Sequence, residues 1–257
     1  MFSYTSGATT DRGDVRTENQ DSILLLSGTI KAQAAALFAV ADGMGGLSYG
    51  AQVSRYITDQ FRRWWNEDFP QLIEAGMEGE DDIRELLEQE IWDINQAVLD
   101  FKDRMQCRSG STLSLLLLYK NRYFIENIGD SRVYLARKGR FLQLTSDQSL
   151  AAKMVRDHCM TEEEAYHSRM KNILTMCIGM FPVPQSGYRS GELFQGDCFL
   201  LCSDGLYHPL GEAKMESVLM ECGRSAQEKA DLLRQMVGQG NARDNVSAIV
   251  AEIKGKG

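Results

Sequence analysis

The stretch from Leu37 to Gly46 constrains this chain more than any other. Leu37-Phe-Ala-Val-Ala41 is an apolar run of strand length that delivers one carboxylate, Asp42, at its C-terminal end. Glycines 43, 45 and 46 follow at once. Lacking a Cβ, they let a ligand or a neighbouring backbone come close to the main chain, as a cation or phosphate site requires.

Read in order, the chain repeats that theme. A polar stretch, Arg16-Thr-Glu-Asn-Gln-Asp21, runs straight into Ile23-Leu-Leu-Leu26, a turn follows near Gly28 and Lys31, and a second strand climbs to Asp42. The two strands are expected to pair as a hairpin, which brings Asp21 and Asp42 to one pole. Val53, Ile57, Phe61 and Trp64 then share one helical stripe, with Pro70 closing the region, and Ile83, Leu87, Ile94, Val98 and Phe101 share another. Strands are expected from Leu113 to Tyr119, Arg122 to Ile128, Arg132 to Arg137 and Arg140 to Leu144, with turns at Gly129-Asp130 and Lys138-Gly139.

From Ser149 to about Gly187 the reading is helical or irregular, with Thr161 and Glu164 forming a capping box. This flap-like insert is expected to be the most mobile part and to govern substrate choice. Asp197 to Ser203 reads as a strand ending at Asp204-Gly205. Ser225 and Glu228 cap a helix to about Val237, residues 238–244 form a loop, and Val246 to Ile253 is the last strand. No repeat, low-complexity tract or linker interrupts the pattern, so residues 1–257 are expected to form one domain. Strands joined by short turns point to antiparallel sheets with helices on their outer faces.

Composition excludes several classes. The net charge of −8 argues against non-specific nucleic-acid binding. Cysteines 107, 159, 177, 198, 202 and 222 include no Cys-x-x-Cys pair and the histidines are not clustered, so reduced thiols are expected rather than a disulfide frame or a zinc site. Met1-Phe-Ser-Tyr-Thr5 lacks the features of a signal peptide, and no apolar run reaches the length of a membrane span. A soluble, cytoplasmic protein is the expectation.

Asp21, Asp42, Asp130, Asp204 and Asp244 are the candidate functional carboxylates, each at a strand end or in a tight turn. Asp204 closes one strand and Asp244 opens another, the same-pole arrangement inferred for Asp21 and Asp42. Like charges gathered so closely need a shared cation. Oxygen donors select Mg²⁺ or Mn²⁺ over zinc, and several carboxylates suit two ions. Asp130 in Gly129-Asp-Ser131 fits a hairpin tip as well as a ligand. Arg16 would be a natural bidentate clamp for phosphate beside such a cluster.

Two enzyme alternatives fail on residues. A cysteine phosphatase loop needs Arg six positions after the nucleophile, where Cys107 meets Leu113. In a dinucleotide fingerprint beginning at Gly43 and Gly45, the third glycine is replaced by Ser48. No acidic residue stands about twenty places on, where Arg62 and Arg63 occur.

Arg16-x-x-x-Gln20-Asp21, Val40-Ala-Asp42-Gly43-Met-Gly-Gly46, Ser109-Gly-Ser-Thr112, Gly129-Asp-Ser-Arg132, Leu144-Thr-Ser-Asp147, Ser203-Asp204-Gly205-Leu206 and Asp244-Asn245 occur in this order. The series, covering residues 6 to 253 or so, resembles that of metal-dependent serine/threonine protein phosphatases, the PPM or type-2C family, in its bacterial form. The resemblance implies an α+β fold, a central sandwich of two antiparallel sheets flanked by helices, with a binuclear Mn²⁺/Mg²⁺ centre at one end. It implies that Asp42 bridges the ions, that the Gly43 carbonyl, Asp204 and Asp244 complete the ligands, and that Asp21 binds directly or through water. Asp130 matches the residue that helps hold a weaker third ion, and Arg16 would grip the substrate phosphate. A metal-bridging hydroxide would attack phosphorus in line, without a covalent phosphoenzyme. Phosphorylated proteins are the implied substrates, with a partner Ser/Thr kinase and a monomeric enzyme.

Three departures qualify the match. Met44 stands where animal members carry a histidine proposed as general acid, which leaves a metal-bound water as proton donor. Gln148 replaces the histidine usual after Asp147, read as a structural change. His208 stands where many relatives have an acidic residue, and reads as a surface or hydrogen-bonded histidine. A non-catalytic phosphoprotein-binding module on the same fold remains the alternative, disfavoured by the presence of Asp21, Asp42, Asp204 and Asp244.

Overall fold

The computed structural model describes residues 2–45, 49–238 and 242–255. The chain begins with β1 (Phe2–Asp11), β2 (Asp21–Ile30) and β3 (Gln33–Gly45), then α1 (Tyr49–Arg63), α2 (Phe69–Glu74) and α3 (Glu80–Met105). β4 (Ser109–Ser111), β5 (Leu113–Tyr119), β6 (Arg122–Ile128), β7 (Arg132–Arg137) and β8 (Arg140–Gln143) follow, β5 pairing with β6 in one sheet and β7 with β8 in the other, where a single meander was expected. The insert carries α4 (Leu150–Arg156) and α5 (Glu162–His167) and leads to β9 (Gly187–Glu192). The chain closes with β10 (Cys198–Cys202), α6 (Asp204–Leu210), α7 (Glu212–Leu219), α8 (Ala226–Val237) and β11 (Val246–Gly255).

The strands pair antiparallel in two sheets, one in the order β1-β11-β10-β7-β8 and the other β2-β3-β5-β6-β9, with β4 on the end of β3. Side-chain alternation then builds four layers. Ala36, Phe38 and Val40 of β3 face inward with Leu116 and Ile125, against Val133, Phe199, Leu201 and Ile249 of the other sheet. Ala35, Leu37 and Ala39 face the opposite way, onto Ile57 and Phe61 of α1 and Leu87 and Ile91 of α3. Leu200, Ala248 and Val250 likewise turn outward onto Leu206, Met215 and Leu233 of the C-terminal helices. A strand buried on both faces reads as an unbroken apolar run, which is why β3 and β5 carry one. Each such Leu or Phe contributes roughly 1.5–3 kcal/mol of burial free energy.

The expected sandwich is therefore present, with several corrections to its parts. Pro70 does not end the first helical region. It occupies the first turn of α2, where its missing N–H costs nothing, after a π-helical segment at Trp64–Asp68. The stacked rings of Trp64 and Phe69, 4.6 Å apart, hold the two helical segments together. β1 and β9 were not expected, being edge strands of mixed polar sequence. β3 runs past Asp42 to Gly45, so Asp42 lies within the strand and not at its end. Asp204 opens α6, and Asp244 stands two residues ahead of β11.

Register fixes which end of the sandwich matters. Asp21 pairs with Asp42, Val40 with Ser114, Leu113 with Ile128, and Cys202 with both Arg132 and Ala248. The start of β2, the end of β3, the β6–β7 turn, the end of β10 and the start of β11 thus share one pole.

Candidate metal centre

All five candidate carboxylates come from that pole. Asp21 and Asp42 are direct cross-strand partners, so their side chains project from the same face. The charges that bear on Asp42 are, in falling order, those of Asp21, Asp204, Asp130 and Asp244. Withdrawal from water, and then those neighbours, hold the Asp42 carboxyl well above the usual carboxylate range. Asp204 is raised in the same way, by burial first and then by Asp130, Asp244 and Asp21. Burial likewise takes Asp21 to about 6 and Asp130 to about 7.

Hydroxyls and backbone set the orientation of these groups. Ser203 donates to Asp21 Oδ2 at 2.8 Å and accepts from the Ser247 N–H at 3.0 Å, so one hydroxyl joins the β10 and β11 ends to β2. The other Asp21 oxygen, Oδ1, is buried with no hydrogen-bond partner among the described residues. The Asp42 N–H donates to Thr112 Oγ1 at 3.0 Å, and Thr112 shares a further bond with Ser131 at 2.7 Å, beside Asp130. Gln148 brackets Gly129: its side-chain oxygen accepts from the Gly129 N–H at 2.8 Å, and its own N–H donates to the Gly129 carbonyl at 2.9 Å. The replacement at 148 is thus structural, as the sequence suggests. Tyr207 donates to the Asp130 carbonyl at 3.1 Å, and its ring lies 3.8 Å beneath the Arg132 guanidinium, which is paired to Asp147 through two bonds of 2.9 and 2.7 Å.

Close backbone approach explains two glycines. A Cβ on Gly43 would stand 2.2 Å from the Gly50 carbonyl oxygen, and one on Gly205 would stand 2.0 Å from that of Asn245. Gly46, the last glycine of the run, and Ser48 lie outside the described residues.

Arg16 donates to Asp244 Oδ2 at 2.7 Å, so the proposed phosphate clamp reaches the carboxylate pole from the loop between β1 and β2. Asn245 ties that loop down. Its Nδ2 donates to the Arg12 and Glu18 carbonyls at 2.8 and 3.0 Å, and its Oδ1 accepts from the Gln20 N–H at 2.9 Å. His208 departs from expectation. It lies half-buried one helical turn beyond Asp204, with Nε2 buried, unpartnered among the described residues and 4.0 Å from Asp204 Oδ2. Burial lowers its pKa to about 4, so the ring is neutral.

The donor set fits divalent cations. It is all oxygen, its carboxylates repel one another, and Asp21 offers an orphaned lone pair. Among the described residues no three His, Cys, Asp or Glu side chains are gathered tightly enough to enclose an ion as they stand. The six cysteines are all free. No helix among the described residues is long and apolar enough to cross a membrane. Ser203, Ser247 and Asn245 escaped the sequence reading as orienting groups, although Ser203 and Asn245 sit inside its motifs.

Known proteins resemble this chain in sequence and in fold. The protein phosphatase 2C family profile matches residues 12–239. The serine/threonine phosphatase Stp of Listeria welshimeri is 32% identical over 245 residues, covering 95% of this chain and 93% of that relative. The serine/threonine protein phosphatase PstP of Mycobacterium tuberculosis is 30% identical over 250 residues, covering 96% of this chain and 44% of PstP. Among solved structures, the S. agalactiae serine/threonine phosphatase aligns with a TM-score of 0.85 at 27% identity, over 97% of this chain and 99% of that one. The catalytic domain of PstP, solved in complex with two manganese ions, aligns with a TM-score of 0.82 at 28% identity, over 99% of this chain and all of that one.

Proposed function

Because this chain belongs to the protein phosphatase 2C family, we propose that it is a metal-dependent hydrolase of phosphoserine and phosphothreonine in proteins, with the carboxylate pole as its centre. The observation that carries this reading is the gathering of Asp21, Asp42, Asp130, Asp204 and Asp244 at one pole of the sandwich, withdrawn from water and with Asp21 Oδ1 buried and unpartnered among the described residues, an all-oxygen set that a shared cation would neutralise. Asp42, the Gly43 carbonyl, Asp204 and Asp244 would hold two ions, with Asp21 contributing directly or through water. Asp130 would help hold a weaker third, and Mn²⁺ or Mg²⁺ suits these donors. Such ions supply positive charge to the phosphate oxygens and lower the pKa of water toward neutrality.

The chain's own residues do the rest. Arg16 orients the phosphate with its forked donors. Ser203 holds Asp21, and Thr112 holds the Asp42 backbone. Met44 has no proton to give, and neutral His208 lies too low in pKa to serve as an acid at pH 7. We read the chain as one domain with residues 149–187 as an insert over the site, and as a monomeric cytoplasmic signalling enzyme that reverses a partner kinase. A non-catalytic module is not favoured, since the relatives over nearly the full chain are named phosphatases and the four carboxylates are intact.

The test is turnover of a small aryl phosphate and of a phosphothreonine peptide, with Mn²⁺ and with EDTA. Activity should require the metal, and Asp42→Ala should lower kcat by about a thousandfold or more with the circular dichroism spectrum unchanged. Activity that survives EDTA, or that survives in Asp42→Ala, would overturn the assignment.

A further inference from the structure

A basin of about 680 Å³ opens directly beside the carboxylates, with Asp204 and Asp244 in its wall. Three side chains of the opposite sign line it among otherwise uncharged residues. Lys171 comes from the insert, Lys214 from α7 and Arg243 from the segment ahead of β11. These cations have no anionic partner among the described residues, and Lys214 and Arg243 are exposed. Lys171 also lines the adjoining cavity of about 730 Å³ between the insert and α6, and its ammonium stands 5.0 Å over the Tyr166 ring.

The chain as a whole carries −8, so an acidic substrate gains nothing from its long-range field. A local cluster of unpaired cations is felt over a Debye length of about 8 Å, comparable to the span of a few peptide residues. Three cations from three separate elements line one basin beside the carboxylate pole, a composition suited to a second anion on a polypeptide whose phosphoester lies at that pole.

We propose that the Lys171–Lys214–Arg243 basin receives an anionic group flanking the phosphorylated residue, either a second phosphoryl group or Asp/Glu side chains, and so selects multiply anionic phosphopeptides. The inference rests on the phosphatase reading above. Its geometry asks only that the flanking anion reach the basin while the phosphoester lies at the carboxylate pole.

The test compares kcat/KM on phosphoserine peptides that differ only in their flanks: neutral, Asp/Glu-rich, or bearing a second phosphoserine. A small aryl phosphate serves as reference. Binding of labelled peptides is followed by fluorescence anisotropy, which needs no turnover. The native protein should favour the anionic flanks by about tenfold at low salt, and the preference should shrink as salt rises. Lys171→Ala with Lys214→Ala should reduce the preference to near unity without altering aryl phosphate turnover. Charge reversal, Lys171→Glu with Lys214→Glu, should turn it toward neutral or basic flanks. Preference for only one of the two anions would name the group that the basin takes. Equal kcat/KM and binding for all flanks, or a preference that persists in both double variants, would overturn the proposal. Loss of aryl phosphate turnover in the native protein would instead strike the phosphatase reading, and anisotropy would still decide the basin.

Discussion

At the scale of single residues, the site depends on groups whose importance lies in what they hold. Ser203 is fully buried, and its hydroxyl satisfies Asp21 Oδ2 and the Ser247 N–H together. Ser203→Ala leaves both buried groups short of a partner, a loss of about 1–3 kcal/mol. It should lower the melting temperature by several degrees and raise the Mn²⁺ concentration for half-maximal activity by about tenfold. A metal titration indistinguishable from the native protein would show that the hydroxyl does not orient Asp21. Arg16 is a different case. It is half-exposed and paired to Asp244, so its removal should cost little stability. Arg16→Ala should raise KM for a phosphopeptide about tenfold or more and change kcat less, and a native KM would refute the clamp. The carboxylates and Arg16 were legible in the sequence because charged residues stood against apolar runs and glycines. Ser203 was not, because its bond to Asp21 spans 182 positions of chain and no local pattern marks it.

At the scale of elements, legibility followed burial. β3 and β5 were readable because both of their faces are covered, so their apolar residues are uninterrupted. β1, reading Phe2-Ser-Tyr-Thr-Ser-Gly-Ala-Thr-Thr-Asp11, is an edge strand whose stability comes from ten residue pairings with β11, which leave no trace in its own hydropathy. β9 is hidden for the same reason. The loop joining β1 to β2 shows how an irregular segment becomes a precise one. Asn245 fills its two donor bonds and one acceptor bond with the backbone of Arg12, Glu18 and Gln20. Asn245→Ala should release that loop, open Arg12 and Arg16 to faster tryptic cleavage, and raise KM with a smaller effect on kcat. Cleavage rates and KM equal to the native values would mean that the loop is held by other contacts.

At the scale of the whole molecule, two sheets and their helices converge on a pole that is electrostatically unfavourable without metal. Asp21 and Asp130 are raised by burial to about 6 and about 7, and Asp42 and Asp204 stand well above the usual range. A carboxylate whose folded pKa exceeds its unfolded value binds more protons when folded. Its stabilisation is therefore complete below the ordinary carboxylate pKa, near 3.9, and fades as pH rises through the folded values. Buried Glu90 and Glu126, each raised to about 7, act in the same direction, whereas His208, lowered to about 4, opposes it below its ordinary pKa. The metal-free protein should thus melt at least about 5 °C lower at pH 8 than at pH 5.5. Mn²⁺ competes with protons for the same oxygens, so the melting-temperature gain from 1 mM metal should be small at pH 5.5 and grow toward pH 8. Glu90 and Glu126 lie outside the pole and cannot produce that metal-linked part. Scanning calorimetry across this range, with EDTA and with Mn²⁺, separates the two contributions. A metal-free melting temperature that stays level or rises with pH, or a metal gain independent of pH, would mean that these carboxylates do not share a cation site.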